Sequence, residues 1–101
     1  MSNLKSKETD LLFEAILKLK SIEECYNFFE DACTIKEVKE IALRFKAAGM
    51  LYDKKSYNEV AEKTGVSTAT ICRVSKALNY GAGGYKSVID RLKAEGKIKW
   101  A

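Results

Sequence analysis

The chain has 101 residues, 47% apolar and 32% charged, with six glycines, no proline and no histidine, a balance that fits one small domain and leaves no room for a second. A Pro-free chain with so few glycines lacks the turn punctuation of repeated hairpins, so a sandwich or barrel is excluded in favour of an all-α fold. Without histidine there is no Ser/His or Cys/His nucleophile pair and no imidazole base, and no enzymatic activity is expected.

No apolar run approaches the roughly 18 residues of a membrane span, and the N-terminal MSNLKSKETD is polar. A cytoplasmic protein without membrane contact is the expectation. Cys25, Cys33 and Cys72 form an odd set without a CxxC pair, and with no histidine beside them no metal or cofactor site is expected. They read as buried, reduced thiols that act as small apolar residues. The formal net charge of +4 is unevenly spread: residues 1–50 carry 8 basic and 9 acidic side chains, residues 51–101 carry 10 and 5. Between Glu62 and Asp90 there is no acidic residue at all, whereas Lys63, Arg73, Lys76 and Lys86 stand in that interval. Such a stretch is either a solvated basic surface or a binding face for a polyanion.

Residues 11–29 hold twelve apolar residues in nineteen, more than one amphipathic stripe needs, so two faces must be covered. Ser21 and Glu24 have the spacing of a capping box, which predicts one helix over about 9–20 and a second over 21–31, or one helix kinked there. Thr34 and Glu37 repeat the signal. After them Ile35, Val38, Ile41, Ala42, Phe45, Ala48 and Tyr52 recur at three- and four-residue steps, predicting the longest helix over 34–53. Gly49 inside it costs about 1 kcal/mol relative to Ala, which packing against another helix can offset.

A polar link, Asp53 to Lys55, leads to a third box, Ser56 with Glu59, and a short helix to about Lys63. Gly65 can take the left-handed conformation that ends a helix, and Ser67 can cap the next, running from Thr68 to about Leu78. NYGAGG at 79–84 joins it to a last helix over 85–96 with Val88, Ile89 and Leu92 on its apolar face; Ile98 and Trp100 trail behind. The glycines and the KS pair of NYGAGGYKS lack the order of a phosphate loop, and no strand precedes them, so the segment reads as a helix connection.

YNEVAEKTGVSTATICRV, residues 57–74, therefore places two short helices across a tight turn, as in a helix-turn-helix within the segment 56–78. Ala61 is small where the second helix crosses the first, and Val60, Val66, Ile71 and Val74 clamp the pair. The face left outward is short and polar. A major groove about 12 Å wide admits such a helix: Thr and Ala suit a thymine methyl, Arg suits guanine O6 and N7, and a helix N-terminus with Ser67 suits a phosphate. The candidate DNA-binding residues are Ser56, Ser67, Thr68, Ala69, Thr70, Arg73, Lys76 and Lys86. The rival reading is a helical protein–protein adaptor whose basic half binds an acidic partner. Pairs such as Glu23 and Glu24 read as solvated helix residues.

TGVSTATICRVSKAL resembles the reading-helix region of the tryptophan repressor, and the order of helices over nearly the whole chain is similar to that superfamily, within it the TrpR-related YerC/YecD branch. The resemblance implies a bacterial transcriptional regulator, a repressor that binds palindromic operator DNA as a homodimer. It also implies an intertwined dimer: helices within 1–33 interlock two chains, and two reading helices face successive major grooves. In that family two arginines sandwich the indole of the corepressor, and Arg44 and Arg73 stand at the matching places, with Thr34 matching at the start of the long helix. Arg44 can equally be a surface or interface residue. The family has a glycine after the second arginine; here Val74 stands there and is expected to fill the space. The resemblance therefore carries DNA binding over, but not L-tryptophan as effector.

Overall fold

The computed structural model describes residues 3–98. They form six helices and no strand among the described residues: α1 (Lys7–Ile16), α2 (Ile22–Ala32), α3 (Ile35–Tyr52), α4 (Tyr57–Thr64), α5 (Thr68–Tyr80) and α6 (Gly84–Ala94). None is long and apolar enough to cross a membrane. The backbone divides into two parts, residues 1–38 and residues 39–101, so α3 starts in the first and runs through the second. Trp100, expected to trail the last helix, lies outside the described residues.

In residues 1–38 side-chain caps set every helix start. Ser6 is extended and its Oγ accepts from Thr9 N at 3.0 Å, so α1 begins earlier than the Thr9 read from the sequence. It also ends earlier, at Ile16 rather than Lys20, because Lys18 N and Leu19 N donate to Ala15 O and Ile16 O, three residues back. Such tightening closes a helix and frees the chain to extend again. At Ser21 it does so, and Glu24 N donates to Ser21 Oγ at 3.1 Å while Glu24 Oε1 accepts from Lys20 N at 2.9 Å. The two helices are thus separate, with a five-residue link. At α3 the box is reciprocal: Glu37 N donates to Thr34 Oγ1 at 3.1 Å and Thr34 N donates to Glu37 Oε1 at 2.8 Å. The backbone N–H and then the hydroxyl of Thr34 hold the Glu37 carboxyl below its ordinary pKa.

What this part lacks is a core. No residue of α1 or α2 is buried, and Leu11, Leu17, Ile22 and Tyr26 are 68%, 82%, 77% and 66% exposed. Phe28 and Phe29 meet edge to face at 5.3 Å.

Residues 39–101 are built the other way round. Ala47, Ala48, Gly49 and Met50 are all buried, and because successive helical residues turn by about 100°, four in a row enclose the helix on every side. Val60 of α4, Ile71 and Val74 of α5 and Ile89 of α6 complete the cluster, with Phe45, Tyr85 and Ile98 packed around it. Full burial of Val60, Ile71 and Ile89 contributes about 1.5–3 kcal/mol each. The buried stripe of α3 is therefore its C-terminal half, whereas Ile35 and Ile41, expected on the apolar face, are 72% and 51% exposed. On α6 the inward residue is Ile89; Val88, expected beside it, is exposed, because Tyr85 takes the neighbouring place and stacks towards Phe45 at 6.4 Å. Tyr52 closes the far end, donating from its hydroxyl to Asp90 Oδ2 at 3.3 Å under the ammonium of Lys93, which pairs with Asp53.

One buried polar residue, Thr64, was not singled out in the sequence. Its Oγ1 donates to Val60 O at 2.7 Å and accepts from Val66 N at 3.3 Å, joining the end of α4 to the turn. Thr64→Val keeps the shape and strands the Val66 N–H, so it should lower unfolding stability by about 1–3 kcal/mol. Urea titration at fixed protomer concentration measures this; Thr64→Ser should stay near wild type, and an unchanged Thr64→Val midpoint would show the hydroxyl to be dispensable.

Candidate nucleic-acid interface

The turn is built from three local devices. Ser56 caps α4, its Oγ accepting from Glu59 N at 3.1 Å. Gly65 ends it with φ 72° and ψ 6°, a left-handed conformation that a β-carbon would strain, while its N–H returns to Ala61 O. Two residues later Ser67 is extended again and caps α5, accepting from Thr70 N at 3.2 Å and donating to Thr70 Oγ1 at 3.0 Å. α4 and α5 pack directly on each other, with Ala61 and Val66 half-buried against the core. The clamp read from Val60, Val66, Ile71 and Val74 is the one observed.

With Ile71, Val74 and Leu78 turned inward, Thr68, Ala69, Arg73 and Lys76 are exposed on the opposite side of α5, and Thr70 is half-buried at its edge. Cys72 is exposed on that face, not buried as expected; Cys25 is exposed too, and Cys33 is half-buried. The reason at Cys72 is register: Ile71 takes the inward place and the next residue turns away. All three thiols are free, and no cluster of metal-binding side chains occurs among the described residues. α5 runs on to Tyr80 and α6 starts at Gly84, so the glycine-rich connection shrinks to residues 81–83. Lys86 lies in the first turn of α6, half-buried. Ser56 and Lys86 thus flank the reading face from α4 and α6.

Arg44 and Arg73 do come together. They line one recess of about 340 Å³ with Glu40, Leu43, Val66, Ser67 and Thr70. Thr34 belongs to residues 1–38, where its side chain is engaged in the α3 capping box. The expectation that Val74 closes this space needs correction. Val74 is 3% exposed and belongs to the core, and the recess is lined without it and stays open. Its three extra carbons are absorbed inward, where Ala47 and Ala48 leave room beside them. Glu40 and Leu43 were missed; the signal for Glu40 was its place four residues before Arg44 on a predicted helix.

The comparisons agree with this geometry. The family model described as Trp repressor protein matches residues 7–93. The uncharacterized protein YerC of Bacillus subtilis (strain 168) is 47% identical over 93 residues, 92% of this chain and 89% of that one. Among solved structures, a TrpR-like protein from Eubacterium eligens ATCC 27750 superposes with TM-score 0.86 at 51% identity, covering 89% of this chain and 93% of that one. A Trp repressor candidate from Staphylococcus aureus gives TM-score 0.86 at 39% identity, with 89% and 90% covered. A turn set by Gly65, a reading helix capped by Ser67 and a family match over α1 to α6 lead to one assignment: the chain belongs to the Trp repressor family.

Proposed function

We propose that the chain is a sequence-specific transcriptional regulator that binds double-stranded DNA as a homodimer and represses from palindromic operators. The observation that carries this reading is the exposed face of α5. Thr68, Ala69, Arg73 and Lys76 form a short polar surface on a helix whose inner face is locked in a core, inside a stretch with no acidic residue from Lys63 to Ile89. Side chains of that size let the helix backbone approach base edges, and the absent carboxylates remove repulsion from phosphate. Ser67 and the α5 N-terminus suit a phosphate, as do Ser56 and Lys86 on either side. Nothing in this surface supports catalysis.

Selection of bound duplexes from a random pool tests the reading, and an enriched palindrome is the expected result. On the selected duplex Arg73→Ala and Thr70→Ala should weaken binding by about 1–3 kcal/mol and relax sequence preference, whereas Lys86→Ala should weaken all duplexes alike and flatten the salt dependence. Identical behaviour of Arg73→Ala and Lys86→Ala on selected and random duplex would remove base reading from α5. Binding to an acidic protein with no salt-dependent duplex binding would favour the adaptor reading instead.

The homodimer rests on α1 and α2, whose exposed Leu11, Leu17, Ile22 and Tyr26 need cover that a small chain cannot provide alone. Sedimentation should show a dimer at micromolar concentration, and Leu17→Asp or Ile22→Asp should lower assembly and stability together. A compact, stable wild-type monomer would overturn it.

L-tryptophan is not the effector in this reading. The recess offers an indole only Leu43 and Val66 as apolar walls, and Glu40 brings a carboxylate that repels the ligand's own. Calorimetry should find no micromolar binding and no change in DNA affinity; tight binding that strengthens operator affinity would reverse the conclusion.

A further inference from the structure

The cations of α5 lie in a segment without an acidic residue, so a carboxylate that faces them has to come from another helix. Glu40 is that carboxylate. It lines the recess with Arg44 and Arg73, and the other lining residues, Leu43, Val66, Ser67 and Thr70, are uncharged. The recess therefore holds two guanidinium groups and one carboxylate. Glu40 precedes Arg44 by four residues on α3, the order in which an acid and a base on one helix face attract best. Arg73 reaches the same recess from α5 and is exposed at its mouth, while Lys76, one turn on, is not among the lining residues. Arg73 is thus the reading-face cation that both the recess and an approaching nucleic acid can engage.

Resting on the DNA-binding reading above, we infer that Glu40 is a specificity-setting positioning residue, whose carboxylate draws Arg73 into the recess and limits its contact with phosphates of arbitrary sequence. A phosphate and a carboxylate compete for the same guanidinium fork. On a random duplex Arg73 gains only the phosphate in exchange for Glu40, and little is won. On the right sequence it gains base-edge acceptors as well, which outweigh the carboxylate. Discrimination then comes from a repulsive and competing element next to the attractive one.

The test uses the full-length protein with Glu40→Gln, which keeps the shape and removes the charge, and Glu40→Asp, which keeps the charge. Binding to a random duplex and to the selected duplex is measured across salt concentrations, with the thermal midpoint as a control. Glu40→Gln should bind the random duplex several-fold more tightly, with a log–log salt slope steeper by about 0.9, one additional phosphate contact. The selected duplex should gain less, so the ratio of the two affinities falls; Glu40→Asp should stay near wild type. In an Arg73→Ala background the effect of Glu40→Gln should vanish. Persistence there would overturn the inference, since a general change of charge would explain it. Wild-type affinities for Glu40→Gln, or weaker binding to both duplexes with a lowered midpoint, would overturn it as well and leave the DNA-binding reading standing. A wild-type chain that binds no duplex removes that reading, and this role with it.

Discussion

Burial of Ala47, Ala48, Gly49 and Met50 on every side of α3 is the constraint from which residues 39–101 take their form. A helix can be enclosed this closely only where its side chains are small, because close-packed interiors leave no slack for larger ones. The two alanines and the glycine let α4, α5 and α6 each bring one large aliphatic residue to the same place, Val60, Ile71 and Ile89. The reading helix is held by its inner stripe against this post. Its outer stripe is then free of any packing duty and can be short and polar.

Residues 1–38 follow the opposite logic. Their helix starts are well capped, by Ser6, Ser21 and Thr34, yet no side chain of α1 or α2 is buried. Helices of ten or eleven residues are marginal in water without a packed face. Their stability has to come from a covering surface, and in the proposed homodimer folding and assembly of this segment are one event. The stable core and the reading helix lie together in residues 39–101, separate in the chain from this dependence.

The local signals in the sequence were the most legible. Ser-x-x-Glu and Thr-x-x-Glu spacings located three helix starts to within a residue, and Gly65 located the turn, because these depend on hydrogen bonds and backbone conformation over a few residues. What depended on helix rotation was less legible. Val88 and Ile89 compete for one inward place and the winner is decided by Tyr85 and Phe45; Cys72 follows Ile71 and turns outward. Val74 was read as a plug for the recess, whereas the long-range packing of α5 on Ala47 and Ala48 takes it inward. The Arg44 and Arg73 pairing was visible only through the resemblance, since 29 residues separate them and no local rule joins them. Glu40 needed the fold.

The latch at the end of α3 has a consequence for how the protein meets its surroundings. Tyr52 gives its phenolic proton to a hydrogen bond with Asp90, which raises its pKa above the usual 10, while the Thr34 bonds move Glu37 below the usual carboxylate range. Both displacements point away from neutrality, and there is no imidazole in between. The Glu37 contribution is complete above the unfolded carboxylate pKa and fades only as acid approaches its lowered folded value; the Tyr52 contribution persists through neutrality and fades only in strong alkali. Folded and unfolded chains therefore take up nearly the same protons from about pH 6 to 8, a window that contains no unperturbed side-chain pKa other than histidine's. A cell whose interior acidifies mildly leaves both the fold and the charge of the reading face as they were, and changes in ionic strength become the variable to which the grip on a polyanion responds.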